Sequence, residues 1–498
     1  MPATEVESTV DGIDSTPQAP DYSLDFIMIE QQKRCSGPIS RRSLLQAGAL
    51  GLAGFGLPDL FRLRAQAATT ATKDADTSVI FVWLPGGPPH MEMYDLKPAA
   101  PSDYRGEFRP VPSTVPGMDL SEHLPLHARF ADKFNIIRSI SHQYAGHGDG
   151  MKHFLTGRAP GDPGNFITTH PMVGSMVAKV REGRNLGIPN YVQEADAGRE
   201  NVDTYGFGAA YLGANHRPFS VVGDPNAPKF QVQNLSLARE MESRLDDRVA
   251  LLSGLDRIRR DVDTRGSMLA LDEFNRRALD LLTSDKARQA FDLSAESDAV
   301  RDRYGRHPWG QRALMALRLV EAGVSFVTVV MENPVPPGQA APKETVYNWD
   351  SHGVNCHIYK DALFRFPIYE RAIMALIEDI YQRGLDKKVM LVVTGEFGRT
   401  PRLNAVVGSQ TGVLQPGRDH WPQAMSMLVS GGGMRTGQVI GSTNSKGEHP
   451  KDRPLTPNDL WATVFRHLGI DYHHTSFPDF SGRPMPILPY GEPISELL

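Results

Sequence analysis

The sequence predicts an α/β fold, a parallel-rich central sheet with helices on both faces. Three observations predict it. Short apolar, β-branched runs without polar alternation occur at 78–84, 323–330 and 389–393, and such runs suit strands covered on both sides. An amphipathic helical stretch at 366–383, stopped by Gly384, leads directly into the last of these runs; helix followed by strand, repeated, means parallel strands with crossover helices. Glycine-bearing polar turns follow the strands, at 85–90 and 394–400, where open α/β sheets place their ligands.

The chain has 498 residues, 22% charged and 40% hydrophobic, with a formal net charge of −5. That composition is globular and long enough for one large domain. The net charge argues against nucleic acid as the main partner. Residues 1–38 are polar and unpatterned and predict disorder. Ser40-Arg41-Arg42-Ser43-Leu44-Leu45 then opens a Gly/Ala/Leu-rich segment that ends near Ala65-Gln66-Ala67, a small-x-small cleavage signature. The paired arginines predict twin-arginine export to the periplasm or beyond. The apolar part is too short and glycine-rich for a membrane span, so the mature chain is expected to lack a stable transmembrane segment. Residues 1–67 are therefore set apart from 68–498. Cys35 leaves with the signal and Cys356 remains alone, which excludes an intramolecular disulfide in the mature chain. Oligomeric state is not legible.

In chain order, the strand at 78–84 ends in Pro85-Gly86-Gly87-Pro88-Pro89-His90. This turn lacks both G-x-G-x-x-G and a Walker lysine, which argues against a nucleotide site. A second strand at 134–140 leads into the most histidine-dense stretch, with His142, His147, Asp149, Lys152 and His153. Three histidines and an aspartate at a strand end suit a borderline metal such as zinc; the alternative is that two of the three histidines only make hydrogen bonds. Gly157 predicts a helix stop. Residues 236–321 are charged with helical spacing and predict a helical insertion. The loop after 323–330 carries Asp350 and His352, an Asp-x-His pair suited to a first-row metal. Glu396 and Arg399 follow the strand at 389–393, and the alternative to a functional role is that they pair with each other. Gly417-Arg418-Asp419-His420-Trp421 precedes a further strand, and Thr456-Pro457 begins a helix.

These parts resemble the alkaline-phosphatase and sulfatase superfamily, and within it a twin-arginine-exported branch of unknown function, DUF1501. The resemblance rests on Leu84-Pro85-Gly86-Gly87-Pro88, Trp349-Asp350-Ser351-His352-Gly353, Gly395-Glu396-Phe397-Gly398-Arg399-Thr400-Pro401 and Gly417-Arg418-Asp419-His420-Trp421-Pro422. It covers 78 to the C-terminus and implies that 68–498 form a single alkaline-phosphatase-like domain. It implies one metal site from Asp350, His352 and His420. A second, reduced site is implied around Glu396, with His142, Asp149 or His153, and with His90 in place of the absent first-strand aspartate. The nucleophile position, nine residues before Thr156, falls on His147, where a cysteine, serine or threonine would stand. His147 is thus expected as a phosphoryl acceptor or a metal ligand. Arg399 or Arg418 would bind the substrate oxyanion, with Lys152 as a second positive charge.

The implied function is an exported hydrolase of phosphate or sulfate esters that uses a divalent metal, zinc first, with manganese or calcium as alternatives. Its substrate would be an anionic small molecule or glycan. The alternative is a non-catalytic, metal-containing or anionic-glycan-binding relative.

Overall fold

The computed structural model describes residues 76–498, apart from 162, 163, 165, 185, 186, 198, 200–205 and 233–283. The export segment and most of the predicted insertion lie outside the described residues. Among the described residues no helix is long and apolar enough to cross a membrane.

The core is an eight-stranded sheet built from β1 (Ser78–Trp83), β2 (Phe134–Ile140), β3 (Tyr191–Ala195), β4 (Phe219–Val222), β5 (Phe326–Val330), β6 (Val389–Thr394), β7 (Met425–Gly431) and β8 (Gln438–Ile440). Its order is β8-β2-β7-β6-β1-β5-β3-β4. β1 is parallel to both neighbours, β5 and β6. Only β7 runs against its neighbours, pairing antiparallel with β6 and β2. The predicted α/β architecture is therefore the observed one.

Strand alternation divides the core into two faces. Val79, Phe81 and Trp83 of β1 pack with α1 (His147–Thr156), α2 (Val173–Val180) and, further along the chain, the helix Pro457–His467. Ile80 and Val82 face the other layer. That layer holds α3 (Asp285–Phe291), α4 (Asp298–Tyr304), α5 (Pro308–Glu321) and α6 (Ile358–Gln382). The Phe81 ring lies 5.4 Å from Trp461 and 5.6 Å from Trp83, so aromatic contacts tie the first strand to its covering helix.

α5 corrects the expected extent of the insertion. Its apolar side chains are buried in the core and it precedes β5 directly, so 308–321 is a crossover helix of the sheet. α6 begins eight residues before the predicted 366 and passes through Pro367, its buried face continuing across the proline. α1 stops as predicted: Gly157 has φ +68° and donates its N–H to His153 O at 2.9 Å. The helix Pro457–His467 starts on a Thr456/Asp459 capping box.

Two features of this frame position the site. β1 and β6 run side by side with Trp83 opposite Thr394, so the Gly86-Gly87 turn and Glu396 leave the sheet at the same edge. A two-residue ribbon then pairs His420 with Arg399 and Trp421 with Gly398, joining the two polar motifs.

Candidate metal centre

Asp350 stands at the centre of the cluster. Its loop is anchored by Trp349, which is buried, donates from Nε1 to Met331 O at 2.7 Å and stacks on Trp309 at 5.5 Å. Asn348 Oδ1 accepts the Asp350 N–H at 3.0 Å, and Asn355 Nδ2 donates to Asp350 Oδ2 at 3.1 Å. The other carboxylate oxygen, Oδ1, faces four groups. Arg399 Nη2 is 2.6 Å away, His352 Nε2 3.0 Å, His420 Nε2 3.1 Å and His147 Nε2 3.4 Å.

Each of the three imidazoles is held by its other nitrogen. His147 Nδ1 lies 2.8 Å from Glu396 Oε1, His352 Nδ1 2.6 Å from Asp419 Oδ1, and His420 Nδ1 2.7 Å from Ala145 O. These oxygens accept hydrogen bonds, so each Nδ1 donates and each neutral ring presents a lone pair at Nε2. His352 Nε2 and His420 Nε2 are 2.9 Å apart. Two lone pairs at that distance, beside a carboxylate, need a proton or a cation between them. Among the described residues, His147, Asp350 and His420 each offer a ligand atom within 4.8 Å of the others. A divalent ion fits this donor set and its lone-pair directions.

Without a cation, protons on the rings take its place at Asp350. Burial opposes charge on Asp350, but hydrogen bonds from His147, His352 and His420, with the Arg399 charge, outweigh it and hold the carboxyl far below the usual range. Burial likewise disfavours the His147 cation, but its hydrogen bonds to Asp350 and Glu396 and their charges push its pKa up to about 9. Burial lowers that of His420, against the Asp350 hydrogen bond.

Several sequence expectations are corrected here. Arg399 is fully buried and pairs with Asp350, not Glu396. Its Nε donates to Gly87 O at 2.9 Å, Nη1 to Arg418 O at 3.1 Å, and Nη2 also to Trp349 O and Gly86 O. It is a buried clamp on the loops around Asp350. Arg418 is equally buried and pairs with Glu92 at 2.8 Å. Lys152 is buried beside Asp149 Oδ1 at 3.4 Å.

The second site is not assembled as expected. Glu396 Oε1 accepts from Gly86 N at 2.8 Å as well as from His147, while Oε2 is buried without a partner among the described residues. His142 uses both nitrogens, donating from Nε2 to Glu396 O at 2.6 Å and accepting the Tyr144 N–H at Nδ1. Burial lowers its pKa to about 4, so it is neutral. His153 donates to Arg158 O at 3.1 Å, and Asp149 accepts from Gly164 N at 3.2 Å. His90 is buried under the ribbon, with Nδ1 accepting the Arg399 N–H at 3.2 Å and a pKa lowered by burial to about 4. None of these four side chains joins the Asp350 cluster. Asp419 and Asn355 were missed; the signal for Asp419 was a carboxylate beside His420 in a motif already singled out.

The chain belongs to the family described as "Protein of unknown function (DUF1501)", whose model matches residues 76–498. No curated protein matches it. Similar solved structures include the PsFucS1 sulfatase from Pseudoalteromonas sp., with TM-score 0.35 and 11% identity over 82% of this chain and 72% of that one. The alkaline phosphatase from the Antarctic bacterium TAB5 has TM-score 0.34 and 10% identity over 80% of this chain and 100% of that one. The phosphonate monoester hydrolase SpPMH from Silicibacter pomeroyi has TM-score 0.30 and 12% identity over 79% and 75%. Likenesses of this strength bear on neither residue roles nor activity.

Two predictions follow from the geometry. Gly86 has φ +107°, and a Cβ there would come within 2.5 Å of Asp350 N. Gly86→Ala should destabilise the fold by more than about 1 kcal/mol and displace the Asp350 loop, read as a lower melting temperature. The second concerns pH. The folded pKa of His147 lies above its unfolded value of 6.5, so its stabilising contribution in the metal-free protein is complete below 6.5 and lost as pH rises through about 9. Melting in chelator from pH 6 to 10 should show this decline, and His147→Gln should flatten it.

Proposed function

We propose that this protein is an exported, metal-dependent hydrolase of phosphate or sulfate esters, with one divalent ion held by His147, Asp350, His352 and His420. The observation that carries the reading is the convergence of three Nε2 atoms on one carboxylate oxygen, each ring fixed through Nδ1. Three imidazoles and one carboxylate suit zinc, or another first-row ion such as manganese. Calcium, which takes six to eight oxygens, suits the set poorly. A bound ion supplies Lewis acidity and lowers the pKa of water towards ~7.

The chain's own groups account for the rest of the reading. His147 sits at the first position of α1 with both nitrogens engaged, which suits a ligand better than a phosphoryl acceptor. Attack on the ester then falls to water. Arg399 keeps Asp350 ionised and fixes its Oδ1. Export rests on the paired Arg41 and Arg42 before the apolar segment. The anionic substrate, small molecule or glycan, would enter on the partly exposed side of the imidazoles.

One observation favours a second reading. Arg399 and Arg418 are committed to internal acceptors, so neither supplies the charge that transition-state stabilisation of an anionic ester calls for. A non-catalytic anion- or glycan-binding protein with the same metal is the alternative.

Elemental analysis of the full exported protein, wild type beside His420→Ala, tests the site, and turnover of 4-nitrophenyl phosphate and 4-nitrophenyl sulfate tests the chemistry. About one zinc or manganese per chain, lost in the variant, together with turnover, is the expected result. Metal without turnover selects the binding protein. No metal after reloading overturns both.

A further inference from the structure

We infer that Asp419 is a positioning residue for metal ligation, acting through His352. The inference rests on the metal site proposed above.

A neutral imidazole carries one N–H and one lone pair, and a neighbouring group decides which nitrogen has which. The surroundings of His352 Nε2 pull towards the wrong choice. Asp350 Oδ1 lies 3.0 Å away and His420 Nε2 2.9 Å away, and both would accept a hydrogen bond. Left to these two neighbours, the ring would put its proton on Nε2 and close the cluster against a cation. Asp419 opposes this. Its Oδ1 stands 2.6 Å from His352 Nδ1 and, as a carboxylate, accepts only, so the proton is drawn to Nδ1 and the Nε2 lone pair is left for the ion.

The carboxylate is itself held in place. Asp419 N donates to Thr400 Oγ1 at 2.9 Å, Thr400 N donates to Asp419 O at 2.8 Å, and Asn404 Nδ2 reaches Oδ2 at 3.3 Å. Its neighbour His420 enters the same cluster from the ribbon, so one dipeptide supplies both a candidate ligand and the clamp on another. Glu396 does the same for His147, but it is buried and also bonds Gly86. The Asp419 side chain is 49% exposed, so it can be replaced without emptying the core.

The test is metal affinity of the full chain, measured by competition with a chromophoric zinc chelator, for wild type, Asp419→Ala and Asp419→Asn. Asp419→Ala should weaken zinc binding about 10–100-fold, at a melting temperature of the metal-free protein close to wild type. Asp419→Asn, whose amide oxygen still accepts from Nδ1, should recover most of the loss. Unchanged affinity in Asp419→Ala overturns the proposal and leaves the site reading intact. A melting temperature that falls in both variants, with affinity falling equally in both, makes Asp419 merely structural and also overturns it. A wild type that takes up no zinc overturns the site and the clamp together.

Discussion

One half-buried carboxylate oxygen, Asp350 Oδ1, organises this end of the molecule. It gathers an arginine and three imidazoles, and a charge so placed is tolerable only with partners. Arg399 does more than neutralise it. The planar guanidinium addresses oxygens of the Gly86-Gly87 turn, the Trp349 peptide and the Arg418 peptide at once. A lysine has no such fork, so the charge that balances Asp350 is also the tie that sets three loops in register.

The sheet makes this arrangement cheap to reach. Parallel β1 and β6 end level with each other, and the turns that leave them carry Gly86 and Glu396 to hydrogen-bonding distance. Close approach of backbones is the recurring condition. Gly398 meets Ala424 O and His90, and Gly86 meets the Asp350 peptide, at spacings that leave no room for a side chain. The small residues in the motifs therefore reflect packing of loop on loop, while the polar ones supply the chemistry.

The fold was readable because its determinants are local. Buried strands announce themselves as unbroken apolar runs, and Gly157, Gly384 and the Thr456-Pro457 start mark helix limits. Asp350, His352 and His420 were readable as candidate ligands by residue type and resemblance. Orientation was not. A charged residue in a glycine-rich loop reads as solvent-facing, and nothing local to Arg399, Arg418 or Lys152 reveals the acceptors that bury them. The histidines at 142, 147 and 153 look equivalent in sequence, yet only His147, at the helix start, turns into the cluster. Asp419 escaped notice because its partner lies 67 positions away.

The candidate ligands come from segments far apart in the chain, with His147 and its Glu396 clamp separated by 249 residues. An ion held among them would act as a fastener between the front and back of the domain. No short fragment contains the donor set, so metal uptake reports on completed folding rather than on local structure. Occupancy in turn would raise the free energy of unfolding by mass action. Protein recovered from metal-poor culture would then look like a weaker fold when it is the same fold left unlatched.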